Sequence, residues 1–267
     1  MFSVKKLILI AILPLFLLSC ADTDAIRTET KGWSVQKLYA EANKSLSDKG
    51  YTRSIKLYNV LESTCPYGVY AQQGLLDLAY AYYQNDQPEL ALPTLDQFIR
   101  TYPANPNVDY ALYLKGYINY KNDNGLLSKY TMQDISERDP KGLQEAYKAF
   151  YELATKYPTS KYAPDATDKV QRLINALARG EIYRARYYMS IQAYLAGINR
   201  AQNVIRTYPN TQYVEEALAI MISAYLDLNQ DKLSADTKVV LQMNFPRSSY
   251  LTHPWVYADI SWYSFWR

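Results

Sequence analysis

The chain has 267 residues, 49% of them hydrophobic and 21% charged, which is an ordinary globular balance with enough length for a sizeable core. Its formal charge is +3, and loss of Lys5 and Lys6 with an N-terminal signal leaves 3 − 2 = +1, which argues against a nucleic acid partner. One of the two cysteines, Cys20, is assigned to a lipid in the next paragraph. Cys65 then has no intramolecular disulfide partner and is expected to be buried and inert.

Residues 1–19 read as a lipoprotein signal. Lys5 and Lys6 precede an apolar run at residues 7–18 that only Pro14 interrupts. A membrane span needs about 20 apolar residues, so this run is a removable segment. Leu17-Leu18-Ser19-Cys20 has the form of a lipobox, with a branched apolar residue at −3 and a small one at −1, although Leu18 is bulky for its place. Cys20 is therefore the predicted lipidation site. Three acyl chains at about 0.8 kcal/mol per methylene hold firmly. Ala21 replaces the Asp that retains envelope lipoproteins at the inner membrane, and similarity to such signals implies the periplasmic face of the outer membrane. Residues 20–32 are expected to be a flexible tether: residues 21–31 are polar with one isolated apolar residue, Ile26. At about 3.3 Å per residue it would reach roughly 35 Å.

Beyond the tether the chain repeats around prolines: Pro66, Pro103, Pro158, Pro209 and Pro246, at spacings of 37, 55, 51 and 37. At −12, −8 and −5 stand Ser54, Tyr58, Leu61; Ala91, Leu95, Phe98; Ala146, Phe150, Leu153; Gly197, Ala201, Val204; and the weaker Ser234, Lys238, Leu241. Steps of four and three place each trio on one helical face. After the prolines a second apolar face follows at +9, +12, +13 and +16, as in Leu75, Leu78, Ala79, Tyr82 and in Leu218, Met221, Ile222, Tyr225. Small residues permit close helix crossings, and the proline ends the helix before it. Such a two-helix unit resembles the tetratricopeptide repeat and must stack on its neighbours, which predicts a right-handed superhelix with a concave groove. Strand signals are weak. The predicted fold is all-α, a tetratricopeptide-like repeat superhelix of about five helix pairs plus a C-terminal helix.

The long spacings mark departures from the unit. Residues 121–141 are polar and turn-forming, and read as an insertion between N-terminal repeats at 33–120 and C-terminal repeats with a capping helix at 142–267. Residues 163–186 have Pro164 in the first turn and no breaker further in apart from Gly180, and predict one long helix. Near the C-terminus Trp255, Ala258 and Trp262 fall at +9, +12 and +16 from Pro246, as a capping helix would require. Tyr257, Trp262, Phe265 and Trp266 could instead offer an exposed aromatic contact.

Several stretches resemble the BamD (ComL/YfiO) family of outer-membrane assembly lipoproteins: residues 66–73 and 76–83, Phe98-Ile99-Arg100, Asn107-Val108-Asp109-Tyr110, Glu137-Arg138-Asp139-Pro140, residues 157–162 and Asn199-Arg200. The likeness runs from about Val35 to Ser249 and includes the lipobox and the insertion. Cys65 departs from the Tyr that usually precedes the proline. The resemblance implies a non-catalytic scaffold that binds unfolded β-barrel proteins with its N-terminal repeats. Its C-terminal repeats would dock on the insertase BamA, beside other lipoproteins of that machinery, and no cofactor is implied.

The alternative reading is another tetratricopeptide envelope lipoprotein that acts as adaptor for cell-wall enzymes or division proteins. A periplasmic glycan-active enzyme would need two facing carboxylates, and the residues give that chemistry little support. The single histidine, His253, has no metal-spaced companions, no phosphate-cradling loop occurs, and adjacent Glu215 and Glu216 are expected to be solvated. Tyrosine is in excess, 28 of 267 residues, and Tyr67, Tyr70, Tyr80 and Tyr83 exceed what one helix face can bury. With the amides between them they suit an extended peptide with an aromatic end. The candidate substrate-binding residues are Tyr67, Tyr70, Gln73, Arg100, Asn107 and Tyr110. Arg200, matching the family's motif, is the candidate partner-binding residue, and its apolar neighbours are expected to leave it free for an acidic group.

Overall fold

A computed structural model describes residues 25–122 and 140–256. Among these residues the regular structure is helical throughout. We number the helices α1 Val35–Ser47, α2 Tyr51–Thr64, α3 Val69–Gln84, α4 Pro88–Thr101, α5 Val108–Asn122, α6 Pro140–Lys156, α7 Ala163–Ser190, α8 Tyr194–Thr207, α9 Tyr213–Asp227 and α10 Asp231–Asn244. A 3-10 turn, Ser249–Leu251, follows. None of these helices is long and apolar enough to cross a membrane.

One local grammar produces most of these elements. Helices α2, α4, α6, α8 and α10 each stop two residues before a proline. The residue between donates its N–H to the carbonyl of the residue at −5 from the proline, as Cys65 does to Leu61 and Tyr102 to Phe98. Proline then bars continuation, because its ring clashes with the preceding turn and it has no N–H. Within four helix pairs the joint is a three-residue turn whose middle residue has positive φ: Lys49 at 61°, Asp86 at 57°, Gln192 at 61° and Asn229 at 55°. This left-handed stop is not visible in composition, since none of the four is glycine.

The trios that the prolines index are the core. Ser54, Ala91, Ala146 and Ser234 at −12 are 0–4% exposed, and the −5 residues Leu61, Phe98, Leu153, Val204 and Leu241 are 0–1% exposed. Where the small residue is serine its hydroxyl bonds a carbonyl of the preceding helix, Ser54 to Ala42 at 3.0 Å and Ser234 to Ile222 at 3.2 Å. Glycine serves the same crossing elsewhere: a Cβ on Gly197 would lie 3.0 Å from Met189 Sδ, and one on Gly74 only 2.8 Å from Leu61 Cδ2. At −8, Tyr58, Leu95, Phe150 and Ala201 are buried, but Lys238 is exposed and Thr237 takes the inward place.

The chain divides into two compact units between Ile118 and Asn119. In the first, α1 packs on α2, α2 on α3 and α3 on α4, with α1 also touching α3. In the second, α6 packs on α7, α7 on α8, α8 on α9 and α9 on α10. The long helix expected over residues 163–186 is α7, which continues to Ser190.

Three expectations need correction. The tether does not extend to residue 32, because residues 25–29 form a helical turn. Ile26 on that turn is 6% exposed in a cluster with Leu38, Leu57 and Tyr58, and the Thr30 hydroxyl caps its carbonyl at 2.8 Å. An isolated apolar residue in a polar stretch was thus an anchor point. Trp255 is buried, but in irregular chain and not in a helix; its indole N–H donates to Glu216 Oε1 at 3.2 Å. Glu216 is accordingly not solvated, and Arg186 grips both its oxygens at 2.6 Å. The bulk of the insertion, residues 123–139, and Ala258, Tyr257, Trp262, Phe265 and Trp266 lie outside the described residues, as do Cys20 and the signal.

Candidate functional site

In the first unit, one face of α3 carries Tyr70, Gln73 and Asp77 at steps of three and four. Tyr39 and Asn43 lie one turn apart on α1, and the turn between α4 and α5 supplies Asn105 and Asn107. A string of hydrogen bonds joins these elements. Asn107 Nδ2 donates to Gln73 Oε1 at 3.2 Å, Gln73 Nε2 to Asp77 Oδ1 at 2.9 Å, and the Tyr39 hydroxyl to Asp77 Oδ2 at 3.0 Å. Asn43 Nδ2 donates to the Tyr39 hydroxyl at 3.2 Å, and Asn105 Nδ2 to Gln72 Oε1 at 2.8 Å. Asn105 also accepts the Asn107 N–H at 2.9 Å, which sets the turn that aims both amides at α3. The Tyr70 ring rests against Tyr39, with centroids 5.4 Å apart.

Asp77 is the hub of this string. Burial raises its carboxyl above the ordinary range, opposed by the bonds from Gln73, Tyr39 and Tyr58. Tyr39 is pushed up to about 12, first by burial and then by the Asp77 charge. Tyr58, buried behind it, is raised further for the same reasons.

Of the sequence candidates, Tyr70, Gln73 and Asn107 are thus joined through α3. Tyr110, on the first turn of α5, is half-buried and its N–H meets Asp109 Oδ1 at 2.7 Å. Tyr67 and Arg100 are exposed and belong to none of these bonds. Tyr67 is 81% exposed on the turn before α3. The turn is made by Gly68, whose φ of 99° an L side chain would strain. Cys65, expected to be buried, is half-buried at that turn, where its thiol meets the Tyr67 carbonyl at 3.2 Å.

In the second unit Arg200 is not free. It lies 3.5 Å from Glu181 Oε2, while Arg184 holds Glu181 Oε1 at 2.7 Å. Glu181 is 6% exposed and its Oε2 accepts no hydrogen bond, so Arg200 compensates it by charge alone. The side chain of Arg200 stays 42% exposed. It lines a cavity of about 340 Å3 with Tyr188, Ala196, Asn199, Asn203 and Arg206, a wall with two guanidiniums and no carboxylate.

Sequence reading missed Tyr39, Asp77 and Glu181. A signal existed for each carboxylate: Asp77 sits between buried Leu76 and Leu78, and Glu181 between buried Gly180 and Ile182. A charge enclosed in this way must be paired or hydrogen-bonded.

Sequential helix pairs, each closed by proline, define a tetratricopeptide-like repeat scaffold. The chain belongs to the YfiO family of outer membrane lipoproteins, whose sequence profile matches residues 32–241. It is 48% identical over 265 residues to an outer membrane protein assembly factor BamD of Neisseria meningitidis serogroup B, covering 98% of this chain and 99% of that one. A protein of the same name from Vibrio cholerae is 34% identical over 208 residues, covering 78% and 86%. Among solved structures, the crystal structure of MamA protein aligns over 83% of this chain and 97% of its own at 13% identity, with a TM-score of 0.34.

Proposed function

We propose that this chain is an outer membrane protein assembly factor: a lipid-anchored, periplasmic scaffold that binds unfolded β-barrel proteins and hands them to BamA. The observation that carries this reading is 48% identity along nearly the whole of a BamD chain, anchor region included. The work is binding, not bond-making. An extended segment with an aromatic end would meet the exposed Tyr67 ring and the half-buried Tyr70 ring beside a row of amides held in place.

The roles within that unit divide. Gln73 and Asn107 use their amides to fix α3 against the turn before α5, so they position the surface. Tyr67, Tyr70 and Arg100 make the contacts, with Tyr110 at the margin. Stacking on a tyrosine contributes on the order of 1 kcal/mol per ring, and an exposed guanidinium suits a terminal carboxylate. Tyr67→Ala/Arg100→Ala removes two exposed side chains and is expected to leave the melting temperature unchanged while crosslinking to barrel C-terminal peptides falls at least fivefold. Unchanged crosslinking in the folded double variant would move the peptide site elsewhere.

For BamA docking the half-exposed Arg200 remains the chosen contact. Charge reversal there would set a second carboxylate against Glu181, and Arg200→Gln also removes the charge that compensates it, so a fall in BamA association counts for docking only where the melting temperature is unchanged. Cys20 carries the lipid in this reading. Cys20→Ser is expected to give a folded protein that high-salt washing releases from membranes; retention after the wash would refute lipidation as the anchor.

A further inference from the structure

Glu181 owes its surroundings to the crossing of α7 and α8. Gly197 lets these helices approach until a Cβ there would stand 3.0 Å from Met189 Sδ and 3.6 Å from the Ala185 carbonyl oxygen. One turn further along α8 and one turn back along α7, Arg200 meets Glu181. Glu181 is shut from water between buried Gly180 and Ile182. Two guanidiniums attend it. Arg184 Nη2 donates to its Oε1 at 2.7 Å, whereas Arg200 Nη1 stops 3.5 Å from Oε2, an oxygen that accepts no hydrogen bond.

A buried carboxylate oxygen left without a hydrogen bond is costly. Here the gap stays open because Arg200 faces two ways. Its half-exposed side chain also lines the cavity of about 340 Å3, with Asn199, Asn203 and Arg206. None of its N–H donors is spent on Oε2, so the guanidinium fork is offered to the cavity while its charge is opposed from behind. Two guanidiniums against one carboxylate leave Glu181, Arg184 and Arg200 a single positive charge. Without the charge of Glu181 they would carry two.

We infer that Glu181 is an internal counter-carboxylate that competes for Arg200 with a carboxylate of the docking partner, and so sets how tightly the cavity takes an anion. The inference rests on the reading of Arg200 as a BamA contact. An Asp or Glu of the partner that enters the cavity meets the guanidinium, but it also feels the fixed negative charge behind it. Burial keeps that charge from being screened by salt. Specificity is a difference between affinities, and a built-in repulsion enlarges the difference. A carboxylate supported by the further contacts of a docked surface overcomes it, and a lone anion from solution does not.

Glu181→Gln removes the charge, keeps the volume and leaves an oxygen for Arg184; Glu181→Leu is the apolar counterpart. Neither strands a guanidinium in a dry place, because the side chains of Arg184 and Arg200 are 33% and 42% exposed. Both variants are expected to bind BamA at least threefold more tightly when the purified proteins are titrated. They should also bind inorganic phosphate at least threefold more tightly when the chain alone is titrated and the side-chain 15N–1H signal of Arg200 is followed. In an Arg200→Gln background the same substitutions should change BamA affinity by less than about 1.5-fold, a dependence that general loosening of α7 would not give. Unchanged or weaker phosphate binding in a Glu181 variant of unaltered helical content would overturn the inference, as would a gain that persists without Arg200. Phosphate tightening with BamA affinity unmoved, and Arg200→Gln equally without effect on BamA, would support the competition and refute Arg200 as the docking contact.

Discussion

Replacing Phe150 by alanine should cost about 4 kcal/mol, in the upper range of single-residue effects. Its ring is fully buried at −8 from Pro158, between Ala146 one turn earlier and Leu153 one turn later, on the face that α6 turns toward α7. Deleting a ring there loses its transfer free energy and leaves a cavity that flanking helices cannot close without breaking their own contacts. A repeat depends on its nearest neighbours, so the second unit should soften as a block. Tyr151, the next residue, is 50% exposed, and Tyr151→Ala should stay within about 0.5 kcal/mol. Urea titration followed by circular dichroism measures both. A Phe150→Ala loss below about 1 kcal/mol would contradict the packing described for α6.

Asp77→Ala should be the second large effect, about 2–3 kcal/mol at neutral pH. The substitution removes one acceptor from three donors, Tyr39, Gln73 and Tyr58, two of which are bound at 2.9–3.0 Å in a poorly solvated place. The sign of the pH dependence follows from burial. A carboxyl raised in the folded state binds its proton more readily there than in the unfolded chain. Its contribution to stability is therefore complete below the ordinary carboxylate range and declines as pH rises through the raised value. The penalty of Asp77→Ala should accordingly grow as pH falls from 7 toward 4. A penalty that shrank over that interval would show that Asp77 is not a raised carboxyl. The same variant should weaken peptide crosslinking, because Tyr39, Tyr70 and Gln73 lose their common support.

The fold was legible because its governing signals are local and repeated. A proline with small, large and apolar residues at fixed distances before it specifies a stop, a crossing and a buried face, and those distances can be counted. The failures occurred where burial depends on another segment. Ile26 reads as solvent-exposed until α1 and α2 are seen to provide its cluster. Glu216 reads as a surface acid until Arg186, thirty residues earlier, and Trp255, thirty-nine later, are folded onto it. Arg200 has apolar neighbours along its own helix, but the charge that engages it sits on α7. The left-handed turns at Lys49, Asp86, Gln192 and Asn229 escaped notice because no residue type is reserved for them. At the binding surface the aromatic excess was visible. The carboxylate that organises it was not, because a single Asp in an apolar run carries no label for its partners.

Four of the five helices that stop before a proline are 14 residues long and begin fifteen residues ahead of it: α2, α4, α8 and α10. The other, α6, keeps the same stop and begins three residues earlier. The proline is therefore the datum from which each module is measured, and growth is one-ended. For a lineage this makes insertions and deletions polar. Residues added ahead of such a helix leave its buried trio and its stop in register, whereas one residue gained between that trio and the proline would rotate everything downstream by about 100°. Length variation among descendants should thus collect at one end of each module, where lengthening disturbs the fewest contacts.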